Sequence, residues 1–227
     1  MQEGLFSRQL GFLIFLYLLG SAIIYVPESI VGLDVWIATI LASLFGLFVL
    51  HALIRLQEMY PGQNIMQVSE LILGRVLGTI FNLAYIWSLL LIAALVLFDA
   101  MVFLKIIYPV TPEIPIAIIV ILSSCYIVYK GITPIGRLVD LAVWVVLLLI
   151  ISAFLSCLTL FEISNITPVL VDIKPVLGAA IYGAGWPFTE IVVIALLIPY
   201  VIDLNDNKKT IYYCYGVETL VSVILSF

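Results

Sequence analysis

Apolar residues in this chain fall in long runs, each close to the roughly 20 residues that carry a helix across a bilayer core of about 30 Å. Taken in order, the runs cover 9–26, 35–55, 77–107, 114–130, 138–161 and 175–201, and a seventh begins near 211 and reaches Phe227. The third is long for one crossing, which implies a tilt or a projection past the lipid. No strand is expected. The pattern predicts an all-α integral membrane protein in a single transmembrane domain over 1–227, with six complete spans and the start of a seventh. The polar connection 62–75 has its own structure. Tyr60-Pro61-Gly62-Gln63 ends the second helix, and Asn64 with Gln67 three residues on forms a capping-box pair. A short interfacial helix near 65–73 follows from it.

Composition supports the lipid setting. The 227 residues are 65% apolar and 10% charged, against about 25% charged in an ordinary soluble domain, and the mean hydropathy is +1.30. With the N-terminus placed in the cytoplasm, inner segments carry Arg8, Arg55, Arg75, Lys130, Arg137, Lys208 and Lys209, and outer segments carry Lys105 and Lys174. This positive-inside bias fits an alternating path through the membrane. Glu3 and the absence of a cleavage pattern argue for a retained first span rather than a signal peptide. The net charge of −5 contains no like-charge block, so nothing points to nucleic acid.

Two runs contain helix breakers. The first holds Leu19-Gly20-Ser21-Ala22-Ile23-Ile24-Tyr25-Val26-Pro27, and the sixth holds Tyr182-Gly183-Ala184-Gly185-Trp186-Pro187-Phe188-Thr189-Glu190. Unwound backbone at membrane depth survives only inside protein or beside a wet cavity. Interrupted spans at matching places in two repeats point to a transporter binding site. Spans one and six are five apart, the offset of inverted five-helix repeats. The alternative is that these glycines serve close packing and the prolines only kink their helices.

Glu190 stands inside a span, where an acid is costly and usually faces the bundle or a cavity. It would receive an ammonium group, a proton or a polar partner. Asp99 is read as reaching the outer surface on a tilted helix, and Asp140 as an i, i+3 partner of Arg137. Glu218 is not oriented by the pattern, and His51 reads as an interfacial anchor. Cys125, Cys157 and Cys214 have no metal-ligand spacing, and no cofactor is implied. A single histidine and no P-loop argue against an enzyme.

The order of Ser7-Arg8-Gln9-Leu10, Tyr60-Pro61-Gly62-Gln63, Leu73-Gly74-Arg75-Val76-Leu77-Gly78, Arg137-Leu138 and Trp186-Pro187-Phe188-Thr189-Glu190 resembles the B-subunit of bacterial spore germinant receptors. That group is a branch of the amino acid–polyamine–organocation (APC) transporter superfamily. The resemblance implies a LeuT-like inverted-repeat bundle, truncated here after the start of the seventh helix. It implies a multi-pass protein of the spore inner membrane that binds a small nutrient such as an amino acid. Its partners would be a larger membrane A-subunit and a lipoprotein C-subunit. Backbone at Gly20, Ser21, Ala22 and Ile23 would take a carboxylate, and Gly183, Gly185 and Trp186 would close the other side. Trp186 and Phe188 would pack on an apolar side chain, Glu190 would take the ammonium, and Tyr25 and Tyr182 would flank the breaks. A proton- or cation-coupled amino acid transporter and a non-binding remnant or scaffold are the competing readings.

Overall fold

The structure is a computed structural model that describes residues 4–24, 26–157 and 172–226. Tyr25, the last part of the predicted fifth span (158–161) and Phe227 lie outside the described residues. Helices dominate: α1 (Ser7–Ile24), α2 (Val35–Met59), α3 (Ile65–Ile107), α4 (Glu113–Tyr129), α5 (Ile132–Cys157), α6 (Ile173–Gly185) and α7 (Leu204–Leu225). Among the described residues, 3-10 segments join them at η1 (Pro27–Asp34), η2 (Phe188–Leu196) and η3 (Ile198–Tyr200). Among the described residues no strand forms, only an isolated parallel bridge between Leu5 and Val201. Among the described residues, five helical stretches are long and apolar enough to cross a membrane: Ser7–Ile24, Glu28–Met59, Ile65–Ile107, Ile132–Ser156 and Ile173–Leu196. This is an all-α membrane protein.

Several helix ends differ from the apolar runs, each for a local reason. Asn64 accepts from the Gln67 N–H and Gln67 accepts from the Asn64 N–H, completing the capping box at the start of α3. The break that follows sits at Gly74, where φ is 76° and ψ is 170°, a conformation glycine adopts without a Cβ penalty. Helix α5 starts at Ile132 because Pro134 falls in its first turn, where proline is tolerated. Helix α7 starts at Leu204, so Lys208 and Lys209 belong to the helix although the apolar run begins after them.

The core is built on α1. Leu10, Ile14 and Leu18, at i, i+4 spacing, pack on Leu50 and Ile54 of α2, Ile191 and Ile194 of η2, and Ile211 and Tyr215 of α7. Gly46 lets α2 pass close to its neighbours; a Cβ there would lie 2.5 Å from the Tyr215 hydroxyl and 3.0 Å from Phe188 Cβ. The Tyr215 hydroxyl donates to the Ser43 carbonyl at 2.6 Å. Helix α3 contributes only Val68, Ser69 and Gly78 to the buried set, so its apolar surface faces outward.

Polar contacts tie the N-terminal end of α1 to distant segments. Leu5 donates to the Tyr200 carbonyl, and the Ile202 N–H donates to Leu5, both at 2.9 Å. The Ser7 N–H, one of the orphan amides of the first turn, donates to Asp203 Oδ1 at 2.6 Å. Asp140 accepts from Arg8 at 3.1 Å and from Gln9 at 2.8 Å. It therefore joins α5 to α1 instead of pairing with Arg137 as expected. Glu58 pairs with Lys208 and with Arg55, and His51 meets the Tyr212 hydroxyl at 3.0 Å.

Burial pushes the Asp203 carboxyl up, but hydrogen bonds from the Ser7 N–H, the Asn207 amide and the Ser7 hydroxyl outweigh it and hold the group below the usual carboxylate range. A depressed folded value means the contribution is complete above the ordinary carboxylate range and is lost as pH falls through the folded value. Asp203→Ala is expected to cost about 1 kcal/mol, as for a lost helix cap. Thermal denaturation of the detergent-solubilised protein checks this: the gap between wild type and variant should be full at pH 7 and close in acid below that range.

Candidate functional site

Both interruptions lie at one level of the bundle, and they cross. Helix α6 ends at Gly185, and Trp186 is extended with φ −152° and ψ 125°. The chain resumes as η2 from Phe188. Across the gap the Thr189 hydroxyl donates to the Ala184 carbonyl, and from α3 the Tyr85 hydroxyl donates to the Val192 carbonyl at 2.8 Å. These bonds satisfy carbonyls that the change of helix type would otherwise leave open. The other interruption follows α1, which stops at Ile24 and resumes as η1, with Gly32 at φ 59°. Helix α1 packs on η2 while η1 packs on α6, with α2 along all three of η1, α6 and η2.

The expected unwound stretch at Gly20–Ile23 is corrected here. Nothing in Gly20-Ser21-Ala22-Ile23 forces a break, and α1 continues through all of them. They form its final turns, where the open groups are carbonyls and the macrodipole is negative. A cation is favoured at such an end, and the carboxylate assigned to these amides is not.

Two cavities flank those turns. One, of about 220 Å³, is lined by Ala22, Ile23, Glu28, Thr39, Phe188 and Ser222 among others. The other, of about 380 Å³, is lined by Tyr17, Gly20, Ser21, Ile23, Asp99 and Phe103 with their neighbours. Ala22, Ile23 and Phe188 thus meet in the first, and Gly20, Ser21 and Ile23 in the second. Phe188 is core, 1% exposed and beside Tyr215 at 6.4 Å between ring centroids. Trp186 is half-buried. Gly183 is buried against the Glu28 carboxylate. Gly185 faces open space and Tyr182 is 66% exposed, so these two are not brought to the crossing.

Glu190 is 1% exposed, and neither of its carboxylate oxygens has a hydrogen-bond partner. Tyr17, Ser21 and Asp99 lie within its electrostatic reach. Asp99 turns inward, with Oδ2 buried and unpartnered, rather than reaching the outer surface. Two acids were missed as site residues. Glu28 is 2% exposed with Oε1 unpartnered, and Glu218 is 0% exposed with Oε2 unpartnered. The signal for Glu28 was its place directly after Val26-Pro27, much as Glu190 follows Trp186-Pro187. Glu218 had none, because α7 carries no break to orient it.

Among the described residues, the ion pairs all use other acids, Asp140 and Glu58. Glu28, Glu190 and Glu218, which are buried, and Asp99, which is half-buried, therefore pair with no cation among the described residues. A buried carboxylate without a partner is expensive, and the cost is relieved by a proton or by a cationic ligand. Among the described residues no cluster of three or more His, Cys, Asp or Glu is gathered to hold a metal ion.

Comparison with known proteins agrees with this architecture. The sequence profile of the spore germination protein family matches residues 5–227. The chain belongs to that family. Spore germination protein KB of Bacillus subtilis (strain 168) is 31% identical over 207 residues, 89% of this chain and 56% of the relative. Spore germination protein YndE of the same strain is 24% identical over 222 residues, 94% of this chain and 60% of the relative. The chain thus spans a little over half the length of these spore germination proteins. No solved structure matches. The family is one of permease-like membrane proteins, not of enzymes.

The glycines at the crossing separate by what surrounds them. A Cβ at Gly183 would strike the Glu28 carboxylate, whereas one at Gly185 meets nothing within 4 Å. Gly183→Ala is expected to destabilise the protein by about 1–3 kcal/mol, as overpacking does. Gly185→Ala should be neutral or gain up to about 1 kcal/mol from helix propensity. Melting temperatures of the two purified variants, compared with wild type, test the contrast.

Proposed function

We propose that this chain belongs to the membrane subunit of a spore nutrient-germinant receptor, binding a small nutrient of the amino acid class where the two interrupted helices cross. The observation that carries this reading is the set of carboxyl groups near the two interruptions that pair with no basic side chain among the described residues, with Glu28 lining one cavity there and Asp99 the other. Membership of the spore germination protein family supplies the biological setting. In this reading the protein sits in the spore inner membrane with its N-terminus cytoplasmic, beside a larger membrane subunit and a lipoprotein subunit. Occupancy of the site is reported to those partners.

Working transport is the second reading, favoured by one observation: Glu190 and Asp99, within electrostatic reach of each other and unpartnered, suit a coupling proton or cation. Uptake separates the two. Sustained accumulation of radiolabelled amino acid in vesicles under an ion gradient supports transport, and binding without accumulation supports sensing.

Spores lacking the gene are expected to lose or slow germination with at least one nutrient in an amino acid and sugar panel, read as the fall in optical density. Complementation with wild type should restore the response. Complementation with Glu190→Gln should shift its nutrient concentration dependence by about tenfold, the scale of one hydrogen bond to a charged group. Normal germination of the deletion strain in every nutrient would rule the receptor role out.

A further inference from the structure

A cavity of a different character opens where α2 ends and α3 begins. Helix α2 stops at Met59, and the apolar run of α3 starts only at 77, so the residues between them lie at the level where lipid gives way to water. The backbone turns at Gly74 and brings the two parts of α3 close together: a Cβ on Gly78 would lie 2.7 Å from Glu70 Cα. Asn82 holds this junction. It donates to the Met66 carbonyl at 3.2 Å and to Glu70 Oε1 at 3.3 Å, and accepts from Ser69 at 2.7 Å. The cavity, of about 850 Å³, is lined by Gln67, Glu70, Leu71, Arg75 and Thr79 among others.

Two opposite charges share this cavity without meeting. Glu70 and Arg75 form no ion pair with each other, and among the described residues the ion pairs use other cations, Arg8, Arg55 and Lys208. Gln67 spends its side-chain oxygen on the Asn64 N–H, which leaves its amide N–H groups to donate. The Thr79 hydroxyl donates to the Arg75 carbonyl at 2.7 Å, which leaves its oxygen to accept. A simple anion here would meet Glu70, and a simple cation would meet Arg75. A ligand carrying both charges suits both. The planar fork of Arg75 matches a phosphate, and a primary ammonium brings Glu70 three donors and no acceptor. The surroundings add a third demand. Leu71 lines the cavity, and Ile72, Val76, Leu77 and Ile80 are each more than half exposed. A soluble zwitterion leaves this apolar surface bare, whereas acyl chains cover it.

We propose that this cavity binds the headgroup of a phospholipid of the phosphatidylethanolamine class, with Arg75 on the phosphate, Glu70 on the ammonium and the acyl chains along the exposed apolar start of α3. The site shares no lining residue with the two cavities at the interruptions, and it does not depend on nutrient binding there.

The test is native mass spectrometry of the full gene product, purified in detergent and titrated with dioleoyl phosphatidylethanolamine, phosphatidylcholine, phosphatidylglycerol and the tailless glycerophosphoethanolamine. The expected result is one phosphatidylethanolamine bound at least about tenfold tighter than each of the other three, the scale of a hydrogen bond to a charged group. Glu70→Gln keeps shape and removes charge, and should erase the preference over phosphatidylglycerol while phosphatidylglycerol itself binds at least as well as before. Arg75→Gln should weaken both of these lipids by about tenfold, since both present a phosphate. The two side chains are exposed, and the wild-type preference does not depend on any variant folding. Equal affinity for the three lipids, tighter binding of phosphatidylglycerol, or an undiminished preference in Glu70→Gln overturns the proposal. Glycerophosphoethanolamine binding as tightly as the whole lipid also overturns it, because the site would then take a soluble phosphoamine.

Discussion

Three buried carboxyl groups and a fourth, half-buried one, none paired with a basic side chain among the described residues, set the terms for the rest of the molecule. Glu28, Asp99, Glu190 and Glu218 come from η1, α3, η2 and α7, and each has at least one buried oxygen with no hydrogen bond. Removing a carboxylate from water costs several kcal/mol even after relaxation, and no basic side chain among the described residues offsets it. A fold that only needed stability would place apolar residues at these positions. The acids lie around the final turns of α1, where the helix ends in open carbonyls, so the local field is negative from side chain and backbone alike. Proton or cation uptake is the chemistry left to such a place.

The other end of α1 is built in the opposite way. There the acids are matched: Asp203 with Ser7 and Asn207, Asp140 with Arg8 and Gln9, Glu58 with Lys208 and Arg55. Each exposed pair adds at most about 1 kcal/mol, so their joint effect is to fix which segments meet. The bridge between Leu5 and Val201 adds backbone bonds to the same junction. One end of the bundle is tied by satisfied polar groups, and the level of the interruptions holds unsatisfied ones. The elements that meet at the interruptions thus have their far ends fixed.

Much of this architecture was legible in the chain. Apolar runs marked the helices because lipid allows no other way to satisfy a spanning backbone, and Asn64 and Gln67 announced a cap that the structure forms. Trp186-Pro187 marked the interruption of the sixth helix, since proline ends the intrahelical ladder where it stands. The first interruption was placed too early. Gly20 costs about 1 kcal/mol of helix propensity, too little to unwind a helix packed through Leu10, Ile14 and Leu18, so α1 runs on to Ile24. Partnerships across long sequence separations left no trace in local spacing. Asp140 belongs with Arg8 and Gln9 rather than Arg137, and the orientation of Asp99, Glu28 and Glu218 depends on which helices pass beside them.

In the proposed receptor reading, the division between the two ends bears on how occupancy would become a signal. Glu28 sits on η1, which packs against α6 and α2, while Glu218 sits on α7, which packs against α1 and α2. Both carry negative charge when ionised and repel, and a proton or cation reaching either one weakens that repulsion. The ligand then has different interaction energy with arrangements that hold η1 and α7 close and arrangements that hold them apart, which is the condition for shifting a population between them. A carboxylate pair on one helix would bind the same group and shift nothing. In the proposed reading it is the distribution of the acids over separate elements, more than their number, that would let cation binding change how η1 and α7 sit.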